Sequence, residues 1–402
     1  MLHLNRREFV VGTFAGALHS AAQTKKTVAA IVTEYRYYSH ADVIVGRILE
    51  GYSPNGKPVT PRTQIVSMYT DQIAEKDMSR ELAKKHGFKI YPTVREALTL
   101  GGESLAVDAV LLIGEHGQYP TNEKGQKLYP RYELFQKIIE VFKRSGRSVP
   151  TFSDKHLSYS WAKAQTMYGQ ARELRFPFMA GSSIPVTVRV PELELALDTP
   201  IEHALAVGYG GLDAYGFHTL ETLQCMVERR AGGEKGIRAV EALEGDEVWK
   251  WRDSREGRWS APLLAAALAR GPNTKPGRPE QNATKPVIFL LEYRDGLRAA
   301  AFMLEGHASD FLFAAKLKDR AEPVSCLFGL PGGRALPHFD GLVHCIEEMF
   351  TTGRPVYPVE RTLLTTGALD FLLEARYRKK RLETPDLKVE YRAPARAYFQ
   401  RM

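Results

Sequence analysis

Glu115 and His116 stand between Gly114 and Gly117, directly after the apolar run VDAVLLI at 107–113. A charged pair beyond the carboxyl end of a buried strand is placed to touch a ligand, because open α/β sheets bind in that crevice. Asp154, Lys155 and His156 follow a second apolar run, at 149–153, and fall at the same kind of position. Imidazole and carboxylate suit zinc or manganese, so Glu115, His116, His156 and His218 form one candidate metal set. No short metal-ligand spacing joins them, and hydrogen bonds to a polar ligand are the plainer chemistry.

The elements that must position these residues alternate through the first half. Apolar runs at 27–32, 63–69, 107–113 and 149–153 read as buried parallel strands. Segments with helical spacing at 41–49, 78–86, 94–100 and 133–144 lie between them, and Gly87 marks a helix stop. This predicts a parallel sheet with crossover helices, whose ligand-facing stretches are 33–40, 69–71, 114–120 and 154–156. The second half has another texture. Strands are expected at 186–190 and 204–207, and a hairpin over 287–304 turns at Asp295-Gly296. Helices are expected at 219–229, 342–350 and 361–377. The predicted class is α/β, with an α+β second domain built on a large, mostly antiparallel sheet; boundaries are set at 27–155 and 156–402.

The 402 residues are 44% hydrophobic and 25% charged, the composition of a globular protein with ample core. The net charge of +8 is spread along the chain. Its densest run, from Arg376 to Arg381, reads as a solvated helix end rather than a nucleic-acid contact, since no binding motif accompanies it. Cys225, Cys326 and Cys345 form no CxxC pair and read as buried thiols. Residues 1–22 carry a charged start with Arg6-Arg7, a short apolar stretch at 11–18 and small residues Ser20-Ala21-Ala22. This resembles a twin-arginine export signal cleaved after Ala22, implying a periplasmic or secreted protein without stable membrane insertion.

Three stretches carry a family resemblance. Ser153-Asp154-Lys155-His156 looks like a Glu-Lys-Pro motif. The stretch from Gly210 through Asp213, Ala214, Tyr215 and His218 to Glu221 looks like Gly-Gly…Asp-x-Gly-x-His-x-x-Asp. The tail from Thr352 to Pro355, with Glu360-Arg361 and 387–391, looks like a closing helix and last strand. In this order they resemble the glucose-fructose oxidoreductase, inositol dehydrogenase and rhizopine-catabolism superfamily over nearly the whole mature chain. The resemblance implies a Rossmann-like first domain, NAD(P), a sugar or polyol substrate, and pairing of subunits through the second sheet. It makes Lys155 and His218 an acid–base pair, with Asp213 one residue from the family's aspartate, a position held here by Ala214. Lysine and histidine facing one pocket are a usable pair, because burial lowers a lysine's proton affinity and histidine titrates near neutrality.

The chain departs from the family at its first turn. Thr33-Glu34-Tyr35-Arg36-Tyr37-Tyr38 replaces the glycines that let a backbone approach a pyrophosphate. Tyr35, Arg36 and Tyr215 are substrate-contact candidates beside Glu115, His116 and His156, the tyrosines of the turn either stacking on a sugar ring or plugging the crevice. Asp71 resembles the residue that holds an adenosine ribose. Three functions follow as expectations: an NAD(P) oxidoreductase, a cofactor-free or metal-using acid–base enzyme on a sugar or polyol, and a non-catalytic carbohydrate binder.

Overall fold

The computed structural model describes residues 24–331 and 336–401. The expected export signal, 1–22, lies outside the described residues.

Six strands form the first sheet: β1 (Lys26–Val32), β2 (Thr63–Thr70), β3 (Lys89–Ile90), β4 (Ala109–Ile113), β5 (Thr151–Asp154) and β6 (Phe178–Gly181). Their order is β3-β2-β1-β4-β5-β6 and all pair in parallel. The helices between them are α1 (His40–Glu50), α2 (Ser79–His86), α3 (Val94–Thr99), α4 (Arg131–Ser145) and α5 (Trp161–Glu173). Side chains alternate across the sheet. Ala29, Ile31, Val110 and Leu112 pack with α3 and α4, while Val28, Ala30, Ala109 and Leu111 pack on α1. Helices α2 and α4 stop at Gly87 and Gly146, both in the left-handed region that glycine adopts without strain. The boundary expected at 155 falls inside this sheet, because α5 and β6 extend it to Gly181.

The second sheet holds β7 (Val188–Val190), β8 (Ile201–Gly208), β9 (Ile237–Glu244), β10 (Val287–Tyr293), β11 (Arg298–Met303), β12 (Phe311–Leu317), β13 (Val324–Gly329) and β14 (Leu382–Glu383). Its order is β14-β9-β10-β11-β8-β12-β13-β7, and only β11 and β8 pair in parallel. The β10–β11 hairpin turns at Asp295-Gly296 as expected. Residues 387–391 do not form the expected last strand; Tyr391 exchanges two backbone bonds with Glu234, and Leu387 O accepts one from Ile237 N–H.

The remaining helices are α6 (Ala214–Val227), α7 (Asp246–Asp253), α8 (Ser260–Leu268), α9 (Pro279–Asn282), α10 (His338–Thr352) and α11 (Val359–Arg378). Helices α6 and α11 fill the inner face of the second sheet, and α10 crosses back to cover the first sheet beside α1. The outer face is not open. Leu263, Leu264 and Ala267 of α8 bury Leu205, Val207, Leu312 and Ala314. Helix α8 thus covers β8 and β12 of the sheet on which the pairing of subunits is expected. The three cysteines are free and buried. Among the described residues no helix is long and apolar enough to cross a membrane.

Candidate active site

The carboxyl ends of β1, β4, β5 and β6 face the start of α6, and the polar side chains meet there. At the end of β5 the backbone of Lys155 enters the left-handed region, φ 67°, while its N–H still bonds Gly181 O at 3.0 Å. Such a conformation is costly for a residue with a Cβ and persists where surroundings impose it. It carries the lysine to His218 on α6, with Nζ 2.6 Å from Nε2. Glu115 lies on the other side of the amine, at 3.8 Å.

Arg131, wholly buried at the start of α4, pairs with Glu115 and places its second nitrogen 3.1 Å from His156 Nε2. A cation at a helix N-terminus opposes the macrodipole, so the guanidinium is held there by its carboxylate. Gly114 makes room for it: a Cβ there would stand 2.5 Å from Arg131 Cγ. Asp154 turns the opposite way and takes His40 Nδ1 at 2.6 Å.

Behind His218, Nδ1 meets Ser182 Oγ at 3.0 Å. Ser182 Oγ donates to Glu221, and Ser182 N–H donates to the other carboxylate oxygen at 3.1 Å. The serine follows Gly181, where a Cβ would lie 2.7 Å from Glu221 Oε1.

Burial governs the protonation of this cluster. It pushes His218 and His156 well below the usual histidine range, helped by the Lys155 and Arg131 charges respectively, and takes His116 down to about 4. Burial alone would raise Glu115, but Lys155 and Arg131 overcome it and hold the carboxyl well below the usual range. Glu221 lacks so close a cation, and burial lifts it to about 7.

The structure thus gathers Lys155, His218, Glu115 and His156. Tyr215 stands at the rim, 38% exposed, its ring packed on Phe311 and edge-on to His218 at 5.9 Å. Asp213 accepts Lys127 N–H at 2.8 Å through Oδ2, and its buried Oδ1 has no hydrogen-bond partner. His116 is near His40, ring centroids 5.3 Å apart, and Arg36 reaches its Nδ1 at 3.4 Å. Tyr35 is a correction: its exposure is zero and its ring packs beneath α1 with Val32 and Ala41, out of reach of a substrate. The four metal candidates do not converge, and among the described residues no group of three His, Cys, Asp or Glu is placed to hold an ion.

Arg131 and Ser182 went unrecognised in the sequence. A basic residue opening a helix was the available signal for Arg131. Ser182 follows a strand too short to stand out, so its carboxyl end drew no attention.

The first turn does not fit a dinucleotide gripped through its pyrophosphate. No glycine occurs from Thr33 to Val45. Ser39 caps α1, taking Asp42 N–H on its hydroxyl at 3.3 Å and Val43 N–H on its carbonyl at 3.1 Å. Asp42 sits in the first helical turn and takes Tyr38 N–H at 3.0 Å. A carboxylate thus occupies the helix end where an anion would bind. Asp71, the ribose candidate, is tied to the hydroxyls of Tyr69 and Tyr119 at 2.8 and 2.7 Å.

No family model matches the sequence, and no curated protein matches it. Solved structures do match in fold. GenD2 from gentamicin A biosynthesis, solved with NAD, aligns with a TM-score of 0.56 at 14% identity, over 90% of this chain and 97% of its own. Scyllo-inositol dehydrogenase from Lactobacillus casei, with NAD(H) and scyllo-inositol bound, aligns at 0.54 and 9% identity, over 90% and 99%. The UDP-N-acetylglucosamine 3-dehydrogenase GnnA from Acidithiobacillus ferrooxidans aligns at 0.53 and 13%, over 88% and 98%. Two of these three are named as dehydrogenases, and the chain shares the fold of all three.

Proposed function

We propose that this chain is an exported enzyme that moves protons on a sugar or polyol at the Lys155–His218 pair, without a nicotinamide cofactor. One observation carries the reading: a buried lysine nitrogen lies 2.6 Å from an imidazole at the meeting of the two sheets, where the shared fold places its ligand crevice. Neutral His218 accepts from Lys155, and Glu115 with Arg131 fixes the amine from the far side. Tyr215, at the rim, supplies an aromatic edge for a sugar ring. The fold supports a sugar-handling site by analogy with its neighbours. Export rests on the arginine-paired start of the sequence.

A carbonyl must acidify any C–H proton that such a pair removes. In this reading no hydride moves, so the enzyme does not make that carbonyl itself. The substrate therefore arrives as a keto-sugar or uronate, and the reaction class is epimerisation or elimination. The test is proton NMR of a panel of keto-sugars and uronates in heavy water. Wild-type protein is expected to exchange a ring proton for deuterium, and Lys155→Met and His218→Asn to slow this by about 10²–10⁴-fold. Unchanged binding with no exchange in any form would instead make the chain a carbohydrate-binding protein. NAD(H) retained in the native mass spectrum would overturn the cofactor-free reading.

A further inference from the structure

His218 meets Lys155 through Nε2 and Ser182 through Nδ1, and Ser182 continues to Glu221. Lys155, Ser182 and Glu221 are buried to within 3% of full enclosure. A neutral imidazole has one N–H and one lone pair, so each bond in this row fixes the direction of the next. With an ammonium donating to Nε2, Nδ1–H donates to Ser182 and Ser182 donates to a carboxylate. With Glu221 protonated, the directions reverse. The acid donates to Ser182, Ser182 donates to Nδ1, and His218 carries its proton on Nε2.

We infer that Glu221 is the proton store of this site, receiving through His218 and Ser182 a proton that leaves Lys155. The inference rests on the acid–base reading above and supplies the group that draws the proton off the amine. An N–H bond of the ammonium breaks as one forms at His218 Nε2. The Nδ1 proton passes to Ser182 Oγ, whose own proton becomes the O–H of Glu221. Charge and atoms are conserved, no electron is transferred, and Lys155 is left as a neutral amine able to take a substrate proton. Glu221 touches no substrate; it is a positioning residue that acts through the other three.

The surroundings suit storage. Glu221 faces Lys155 from just beyond β5, Ser182 from just beyond β6, His218 and Cys225 from its own helix, and Arg361 from α11, with Tyr357 also in electrostatic reach. Arg361 does not neutralise it, being committed to Glu228 through two bonds of 2.8 and 2.6 Å. Burial, working against the two bonds from Ser182, leaves the carboxyl near 7, where gaining and losing a proton are both accessible.

The experiment is long-range proton–nitrogen NMR on the full chain labelled with ¹⁵N-histidine, following the His218 tautomer with pH. Wild-type protein is expected to hold the Nδ1–H form above about 7, where Glu221 is ionised and Lys155 donates to Nε2, and to leave that form below about 7, where a protonated Glu221 competes through Ser182 for Nδ1. Glu221→Gln and Ser182→Ala should each hold one tautomer throughout, and Ser182→Thr, which keeps a hydroxyl, should still switch. A switch that survives in Glu221→Gln, or a wild type locked in one tautomer, overturns the inference. Deuterium exchange on the same samples separates the two claims. A protein that switches but exchanges no sugar proton refutes the function and not the store; one that exchanges with a locked tautomer refutes the store alone.

Discussion

Glu221→Gln also makes a prediction about folding that needs no substrate. The side chain keeps its shape and its contacts with Ser182 but can no longer ionise. In the native protein the carboxyl titrates at about 7 rather than the usual 4.5, mainly because it is buried. The folded state therefore holds its proton more tightly than the unfolded chain does. Stability from this group is fully present below 4.5 and is lost as pH rises through about 7. Each pH unit of separation is worth 1.36 kcal/mol, so the loss is about 3 kcal/mol. Buried histidines oppose it: His116 and His338, taken down to about 4 and about 3 by burial, cost stability as pH falls. That term is common to both proteins and cancels in the difference. The assay is urea unfolding of both proteins across this range. The wild type should lose about 3 kcal/mol relative to the variant between pH 4.5 and pH 7. A flat difference would mean that Glu221 is already ionised in acid, and the reasoning from burial would be wrong.

Other substitutions probe the frame around the pair. Arg131→Met leaves the Glu115 carboxylate with Lys155 as its nearest cation and should cost about 3–5 kcal/mol in urea unfolding, partly recovered when Glu115→Gln is added; a loss below about 1 kcal/mol would show that the ion pair is not what holds α4 in place. Leu264→Ala opens a cavity between α8 and the second sheet and should cost about 2–5 kcal/mol, whereas a surface-like loss of about 0.5 kcal/mol would mean that α8 is not docked there.

Much of the fold was legible because its signals are local. The apolar run of β4 is buried at all five positions, and α1 and α4 show one-sided spacing that a sheet must cover. Lys155 and His218 were legible through motif register. What stayed hidden depends on distant neighbours. The turn tyrosines look alike in sequence, yet Tyr35 is buried and Tyr37 is 53% exposed. The difference comes from α1, under which Tyr35 packs with Val32 and Ala41. Arg131 is buried because Gly114 yields it space, a relation no periodicity reports. The covering of the second sheet by α8 was missed because 260–268 is apolar on most sides, and such a segment does not announce which surface it meets.

The residues at the mouth of the first sheet divide by what they touch. Ser39, Asp42 and Tyr35 are spent on closing the start of α1, and the two tyrosine hydroxyls hold Asp71. None of these contacts reaches Lys155, His218, Ser182 or Glu221, which are carried by β5, β6 and α6. The contacts that close the start of α1 therefore leave the proposed proton path untouched. Conversely, that path has the parts a proton-transfer enzyme requires whether or not a hydride ever moves: a buried amine, a neutral imidazole to pass its proton, and a carboxyl soft enough to keep it. The left-handed backbone at Lys155, φ 67°, is where its amine comes within hydrogen-bond distance of His218, the contact that the proposed proton transfer uses.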